Sequence, residues 1–243
     1  MGIKIKRIIP VIKGLLQKKF IMFDNLTYTQ DDLYTYQNIG FMKDPDFIKA
    51  EQAGYGTGSW SNIHWRVHTI LWAAYHCSHL EGDFVECGTY KGGYVRAIIE
   101  YLDFEKLDKS FYLLDTFKGL VQELMTEEEK KLRRKVYEDC YEEVVERFKP
   151  YKNVKLIKGI IPDTLPLVQV DKIAFMSIDM NNAKPEIESM KYFWPKIVKG
   201  GMVVLDDYGF RGYEPQYRAH NEWAKSNGVK ILTLPTGQGL IVK

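Results

Sequence analysis

At 243 residues, with 45% hydrophobic and 27% charged side chains, the chain is large enough to bury one sizeable α/β core. Its 34 basic and 32 acidic residues leave a net charge of +2, which gives no electrostatic reason to expect a nucleic-acid partner. Three widely spaced cysteines, Cys77, Cys87 and Cys140, offer neither a disulfide framework nor a metal-ligand spacing, and this fits a reducing cytoplasm.

Residues 1–20 carry Lys4, Lys6, Arg7, Lys13, Lys18 and Lys19 without one acidic side chain. Basic residues interrupt every apolar run there, so the segment is neither a signal peptide nor a membrane span. It reads as an arm packing on the domain or on a partner subunit, with weak membrane-surface contact as the alternative. Residues 20–55 are polar and aromatic without a period, and read as irregular structure with short helices. Residues 1–58 are therefore set apart as an N-terminal basic arm and helical extension, and residues 59–243 as one domain.

Ser59 or Ser61 caps an expected helix in which Ile63, Val67, Ile70, Leu71 and Ala74 recur at helical spacing. A first strand follows at residues 83–87, then a glycine-rich turn and a helix from residue 94 to about 107. Residues 110–114 read as a second strand ending at Asp115. Thr126 and Glu129 form a capping box that opens one charged helix over residues 126–149. That helix belongs to an insertion at about 121–150, a lid over the site, and its charge reads as a solvated face. Strands at 154–158 and 173–178 come next, the latter apolar throughout, as burial of both faces requires. A helix over 185–198 ends at Gly200–Gly201, a strand covers 202–205, and another helix covers 215–226. Strands at 229–234 and 240–242 close an antiparallel hairpin.

This alternation predicts a single doubly wound, mostly parallel α/β sheet with helices on both faces. Such sheets bind ligands beyond the carboxyl ends of their strands, where Gly88, Asp115, Asp179, Asp206 and Asp207 all fall. Asp115, placed 27 residues after Gly88, can accept hydrogen bonds from the ribose hydroxyls of a nucleoside, which NAD and S-adenosylmethionine share. The glycine pattern separates them. Glu86-x-Gly88-x-x-x-Gly92-Gly93 lacks the second glycine that admits a pyrophosphate, and Glu86 suits a cationic cofactor. Glu86, Cys87, Gly88, Thr89, Tyr90, Gly92 and Gly93, with Asp115, Thr116 and Phe117, form the expected cofactor cradle. Without a ligand, the same glycines read only as a tight strand-to-helix turn.

Asp179, Asp206 and Asp207 offer hard oxygen ligands, which select magnesium, calcium or manganese over zinc. The alternative is that each caps a helix or pairs with Lys184 or Arg211. A divalent cation would lower the pKa of a bound hydroxyl, and an adjacent carboxylate would take the proton. His220 is a candidate second base, and Tyr90, Asn181, Tyr208 and Gln216 are candidates for the acceptor pocket. Arg66 reads either as a clamp on an anionic group or as a surface ion pair. His64 and His68 read as structural, since no third ligand lies near them in sequence.

Glu86-Cys87-Gly88 with Lys91-Gly92-Gly93, Asp115-Thr116-Phe117-Lys118-Gly119-Leu120, Asp163-Thr164-Leu165-Pro166 and Gly200-Gly201…Asp206-Asp207-Tyr208 resemble the motifs of macrocin-type sugar O-methyltransferases. The resemblance runs from about residue 65 to 243. It implies a class I, Rossmann-like methyltransferase domain with seven strands. It also implies an S-adenosylmethionine site at residues 86–93 and Asp115, with Gly159, Ile160 and Asp179 added to the cofactor contacts. Magnesium, or manganese, on Asp179, Asp206 and Asp207 follows from the same resemblance, with Asp179 and Asp207 in the catalysis of methyl transfer to a sugar hydroxyl. A cytoplasmic homo-oligomer is implied as well. Asn181 stands where the family usually has a second aspartate, and the ending from Pro235 to Leu240 departs from antibiotic-pathway members. Those departures fit a branch acting on a nucleotide-linked sugar, such as a heptose or deoxysugar, for bacterial surface polysaccharide.

Two other readings share part of this pattern. A nicotinamide-dependent nucleotide-sugar oxidoreductase or epimerase should carry the pyrophosphate glycine and a Tyr-x-x-x-Lys pair, yet neither Tyr137 nor Tyr141 has a lysine four residues on. A non-catalytic nucleoside-binding subunit has no need of clustered like charges.

Overall fold

The computed structural model describes residues 26–132 and 137–243. The basic arm read over residues 1–20, with its membrane-surface alternative, lies outside them.

The extension is more ordered than its sequence promises. Strands β1 (Tyr28–Gln30) and β2 (Leu33–Thr35) form an antiparallel hairpin. Its turn residues, Asp31 and Asp32, both sit at φ 54, the left-handed geometry that two-residue hairpin turns demand. Strands of three residues are too short to show a period, so the sequence reads as irregular there. Helix α1 (Pro45–Tyr55) starts with proline in its first turn, and the Asp44 side chain accepts from the Asp46 amide.

Helix α2 (His64–Ser78) begins later than expected and has no side-chain cap, since Ile63 holds that position. Ser59 serves elsewhere: its Oγ accepts the Gly93 amide at 3.1 Å, at the start of helix α3 (Gly93–Leu102). Between α2 and α3 lies β3 (Asp83–Cys87), and β4 (Phe111–Asp115) follows. The single charged helix expected over 126–149 is instead two, α4 (Glu127–Lys131) and α5 (Tyr141–Phe148). The capping box forms as read, but Glu129 is wholly buried rather than part of a solvated face. Its Oε1 accepts the Ala183 amide at 2.8 Å, and that bond compensates the burial.

Strands β5 (Val154–Lys158) and β6 (Ile173–Ile178) fall where the apolar runs predict. Helix α6 (Ala183–Phe193), strand β7 (Ile197–Leu205) and helix α7 (Glu214–Ser226) complete the alternation. β7 starts earlier than expected because Ile197 already pairs with Ile173. Of the strand expected at 229–234, only β8 (Leu232–Thr233) joins the ladder. Val229 and Ile231 pack on the core without pairing. It lies beside β9 (Gly239–Val242), which runs antiparallel to β7.

The main sheet has seven strands in the order β5-β4-β3-β6-β7-β9-β8, parallel except for the terminal hairpin. The pleat sends alternate residues to two cores. Phe84, Phe111 and Phe175 pack under α1, α2 and α3, whereas Val85, Leu114 and Met176 pack under α6 and α7. Strand order reverses between β3 and β6, the place where doubly wound sheets open a crevice.

Candidate active site

Register alone brings the acidic residues together. Cys87 pairs with Leu114 on one side and Ile178 on the other, and Ile178 pairs with Leu205. The next residue of each strand therefore falls in one row across four neighbouring strands: Asp115, Gly88, Asp179 and Asp206. Gly88 has φ 91, and a β-carbon there would collide with the Asp179 carbonyl oxygen. Only glycine lets β3 and β6 approach this closely at the crevice.

The cradle is held by backbone amides. Asp115 Oδ2 accepts the Tyr90 N–H at 2.6 Å, and Oδ1 accepts the Phe117 N–H at 2.7 Å. Each carboxylate oxygen has a second lone pair, so Asp115 can pin the turn and still receive ribose hydroxyls. Burial raises its pKa, and the two amides oppose that rise. Glu86 lies two residues deeper, with Oε1 3.2 Å from Ser177 Oγ, and burial pushes its pKa up to about 8. At neutral pH it is mostly protonated, so the fixed negative charge expected in this turn appears only when a cation draws the proton off.

A cavity of about 300 Å³ opens along this row. Of the candidate cofactor contacts, Glu86, Gly88, Thr89, Tyr90, Gly93, Asp115, Thr116 and Gly159 line it. Cys87 does not, because the pleat turns it into the α6–α7 core. Gly92 caps α3 at φ 80 against the Phe148 ring, behind the cavity. Phe117 is buried against Tyr141, and the Ile160 side chain is exposed while its neighbour Ile161 lines the wall.

Among the acceptor candidates, Tyr90 and Asn181 reach the cavity but Tyr208, Gln216 and His220 do not. The Tyr208 hydroxyl donates to Asn221 Oδ1 at 3.0 Å. Gln216 and His220, four residues apart on α7, share the face turned toward α6. There Gln216 Nε2 donates to Glu186 Oε1 at 3.1 Å, and His220 Nε2 lies 2.8 Å from Glu186 Oε2. His220 is fully buried in that contact and cannot meet a substrate as a second base.

One oxygen from each of Asp179, Asp206 and Asp207 lies within 4.8 Å of the others, a grouping that fits a hard divalent cation. Asp206 Oδ1 accepts from the Tyr94 hydroxyl at 2.7 Å and from Gln238 Nε2 at 3.1 Å. The basic partner is neither Lys184 nor Arg211. Arg66 Nη1 donates to Asp206 Oδ2 at 2.7 Å and to Asp207 Oδ1 at 3.2 Å. Burial alone would lower the Arg66 pKa, but Asp206, Asp31 and Asp207 hold it raised. The ion pair expected of Arg66 at the surface is instead buried, and Arg66 also lines the cavity. Asp179 lies outside the reach of those Arg66 bonds. Its pKa is driven well above the usual carboxylate range by burial, then by Asp206 and Asp207.

Several lining residues carry no sequence signal. Val121 and Leu124 come from the inserted segment, just after Leu120 at the end of the Asp115 motif, and Tyr137 accepts from Asn181 Nδ2 at 3.3 Å. Trp60 enters from the loop before α2. Its Nε1, with Glu86 Oε2 and Thr89 Oγ1, is buried without a hydrogen bond of good geometry. Trp60, Glu86 and Thr89 all line the cavity, and their buried polar atoms suit a polar ligand there. His64 and His68 are structural as expected, the former 3.2 Å from the Tyr28 hydroxyl and the latter stacked on Phe41.

Among the described residues no helix is long and apolar enough to cross a membrane. A family model for macrocin-O-methyltransferase (TylF) matches residues 66–231. Demethyldecarbamoylnovobiocin O-methyltransferase of Streptomyces niveus is 28% identical over 144 residues, 54% of this chain and 54% of that one. Mycinamicin III 3''-O-methyltransferase of Micromonospora griseorubida is 22% identical over 144 residues, 52% of this chain and 55% of that one. The chain spans about half the length of these curated relatives. The structure of the O-methyltransferase NovP shares the fold, with a TM-score of 0.64 and 24% identity, covering 73% of this chain and 79% of that one. The family match covers residues on every strand of the site row, and the chain belongs to the macrocin-O-methyltransferase (TylF) family.

Proposed function

We propose that the protein is an S-adenosylmethionine-dependent O-methyltransferase acting on a sugar hydroxyl, with magnesium or manganese at Asp179, Asp206 and Asp207. The observation that carries this reading is the single row of strand ends, which sets the nucleoside-binding Asp115 and Gly88 beside three clustered carboxylates. S-adenosylmethionine, when bound, supplies a methyl group on a positively charged sulfur. A divalent cation, when bound, makes an alcohol held against it easier to deprotonate.

The chain's own residues do the rest. Asp115 receives the ribose hydroxyls, and the turn from Gly88 to Gly93 lets the cofactor lie against backbone. Asp179 takes the hydroxyl proton as the sugar oxygen displaces sulfur from the methyl carbon. Without a cation, burial and two neighbouring acids favour its protonated form. With that repulsion offset by a divalent cation held by the three carboxylates, Asp179 is ionised and free to act as a base toward an alcohol. Leu120, Val121, Leu124 and Tyr137 wall the cavity and exclude water.

A nucleotide-linked heptose or deoxysugar for surface polysaccharide as the acceptor is the finer part of the proposal. Asn181 and the ending from Pro235 to Leu240, which depart from antibiotic-pathway members, support it. The three cysteines, all free and buried, suit a cytoplasmic site of action. Exposed Trp72 and Tyr75 on the outer face of α2 support self-assembly.

Calorimetry with S-adenosylhomocysteine and with NAD tests the cofactor, and binding of the first alone is expected. Preferential NAD binding would overturn the proposal. A panel of nucleotide sugars, followed by mass spectrometry for a one-methylene gain, identifies the acceptor.

A further inference from the structure

The Arg66 guanidinium is shared between two sets of acids. One edge serves Asp206 and Asp207 through Nη1. On the opposite edge, Nε donates to Asp31 Oδ2 and Nη2 to Asp31 Oδ1, both at 2.8 Å, a parallel two-bond pairing. Phe210 covers one face, its ring centroid 4.4 Å from the guanidinium carbon. Four of the five N–H groups are thus engaged, and the group is fixed in place. Asp31 belongs to the β1–β2 turn, outside the main sheet. A hairpin with no place in the cavity lining is in this way joined to the acidic cluster through one arginine.

A positive charge in contact with two of three prospective ligands has a definite consequence. It relieves the repulsion among those carboxylates when no cation is present, and it opposes a cation that arrives. An acid on the far edge of the guanidinium weakens both effects. We infer that the Asp31–Arg66 pair is a built-in counter-ion that sets how tightly the acidic cluster holds a divalent cation. Arg66 competes for Asp206 and Asp207, and Asp31 draws the guanidinium charge away from them. This inference rests on the metal reading given above.

Asp31→Asn is a clean probe, because asparagine is at home at positive φ and the turn is retained while one charge is lost. Manganese chloride is titrated into wild type, Asp31→Asn and Arg66→Gln, and free manganese is read by electron paramagnetic resonance. Asp31→Asn is expected to bind manganese about tenfold more weakly, the effect of one unit charge several ångströms away in a partly screened site. Arg66→Gln is expected to bind more tightly. S-adenosylhomocysteine affinity of Asp31→Asn stays at the wild-type value even though loss of the buried ion pair lowers its melting temperature, which separates a charge effect at the acidic cluster from a folding defect. If Arg66→Gln does not fold, Asp31→Asn decides alone. Wild-type manganese affinity in Asp31→Asn overturns the inference, and so does a folded Arg66→Gln that binds more weakly. A wild type that takes up no manganese overturns the metal reading itself and this inference with it.

Discussion

The two walls of the crevice are built by opposite means. On the β3–β4 side, one carboxylate, Asp115, is held by two backbone amides from turns adjoining its own and the neighbouring strand. On the β6–β7 side, Asp206 is held by side chains from three distant elements: Tyr94 on α3, Gln238 beside β9 and Arg66 on α2. Arg66 is in turn gripped by a hairpin outside the sheet. Backbone amides keep one geometry whatever binds, so the first wall is a template. The second wall is a charge network, whose arrangement depends on what neutralises it.

That contrast breaks most sharply at Asp179, which stands between the walls. Asp179→Asn keeps the shape and the bond from Asn181 but removes the proposed base and one prospective metal ligand. Turnover is expected to fall on the order of 10³-fold, while S-adenosylhomocysteine affinity, measured by calorimetry, holds. A parallel loss of cofactor affinity would move Asp179 to the template wall and leave the proton without an acceptor.

The template wall was legible in the sequence because strand ends are local signals. An apolar run that stops at Asp115, or at Asp179, tells where a strand meets the crevice, and parallel pairing then aligns the ends. Gly88 could be read for the same reason, since its turn follows directly on β3. Tyr208, in the turn after β7, bonds Asn221 instead of lining the cavity. Gln216 and His220 fall outside the cavity because residue type shows that a polar group exists on α7 but not which face it takes. Glu186, their partner or neighbour across the helix pair, is invisible until α6 and α7 pack. Asp31 and Arg66 lie 35 residues apart, and Arg66 and Asp206 lie 140 apart. No pattern of local spacing connects them. The charged stretch after Thr126 misled differently: its capping box was readable, yet Glu129 has a second bond, to Ala183, that only tertiary structure supplies.

Glu129 supplies the next test, because it fastens the inserted segment to the network wall. Its Oε2 accepts from the Thr126 amide at 2.8 Å and its Oε1 from the Ala183 amide at the start of α6, next to Asn181 and Asn182 in the cavity lining. Glu129→Ala removes the Glu129 half of the capping box on α4 and leaves the buried Ala183 amide without its partner, a loss of about 1–2 kcal/mol in thermal unfolding. The acceptor KM should rise about tenfold as the wall made by Leu120, Val121 and Leu124 loosens, with S-adenosylhomocysteine affinity unchanged. Glu129→Gln, which still accepts a hydrogen bond, should restore most of the KM. Equal damage to cofactor and acceptor binding would mean that the insertion supports both walls.

The smallest effect expected is on stability alone, and it asks which wall titrates. Glu86 has a pKa of about 8 in the folded protein against an ordinary 4.5, because burial disfavours its charged form. The folded state therefore keeps a proton that the unfolded chain has already lost. Stability from this group is complete below pH 4.5, declines as pH rises toward 8, and changes no further above that. The ligand-free protein should melt at a lower temperature at pH 8 than at pH 5, and Glu86→Gln, which has no proton to lose, should show a shallower decline. If the glutamine variant keeps the full slope, the proton resides on a different buried acid. Asp179 is the next candidate, raised by burial and then by Asp206 and Asp207, and the pH sensitivity would then belong to the charge network rather than to the template.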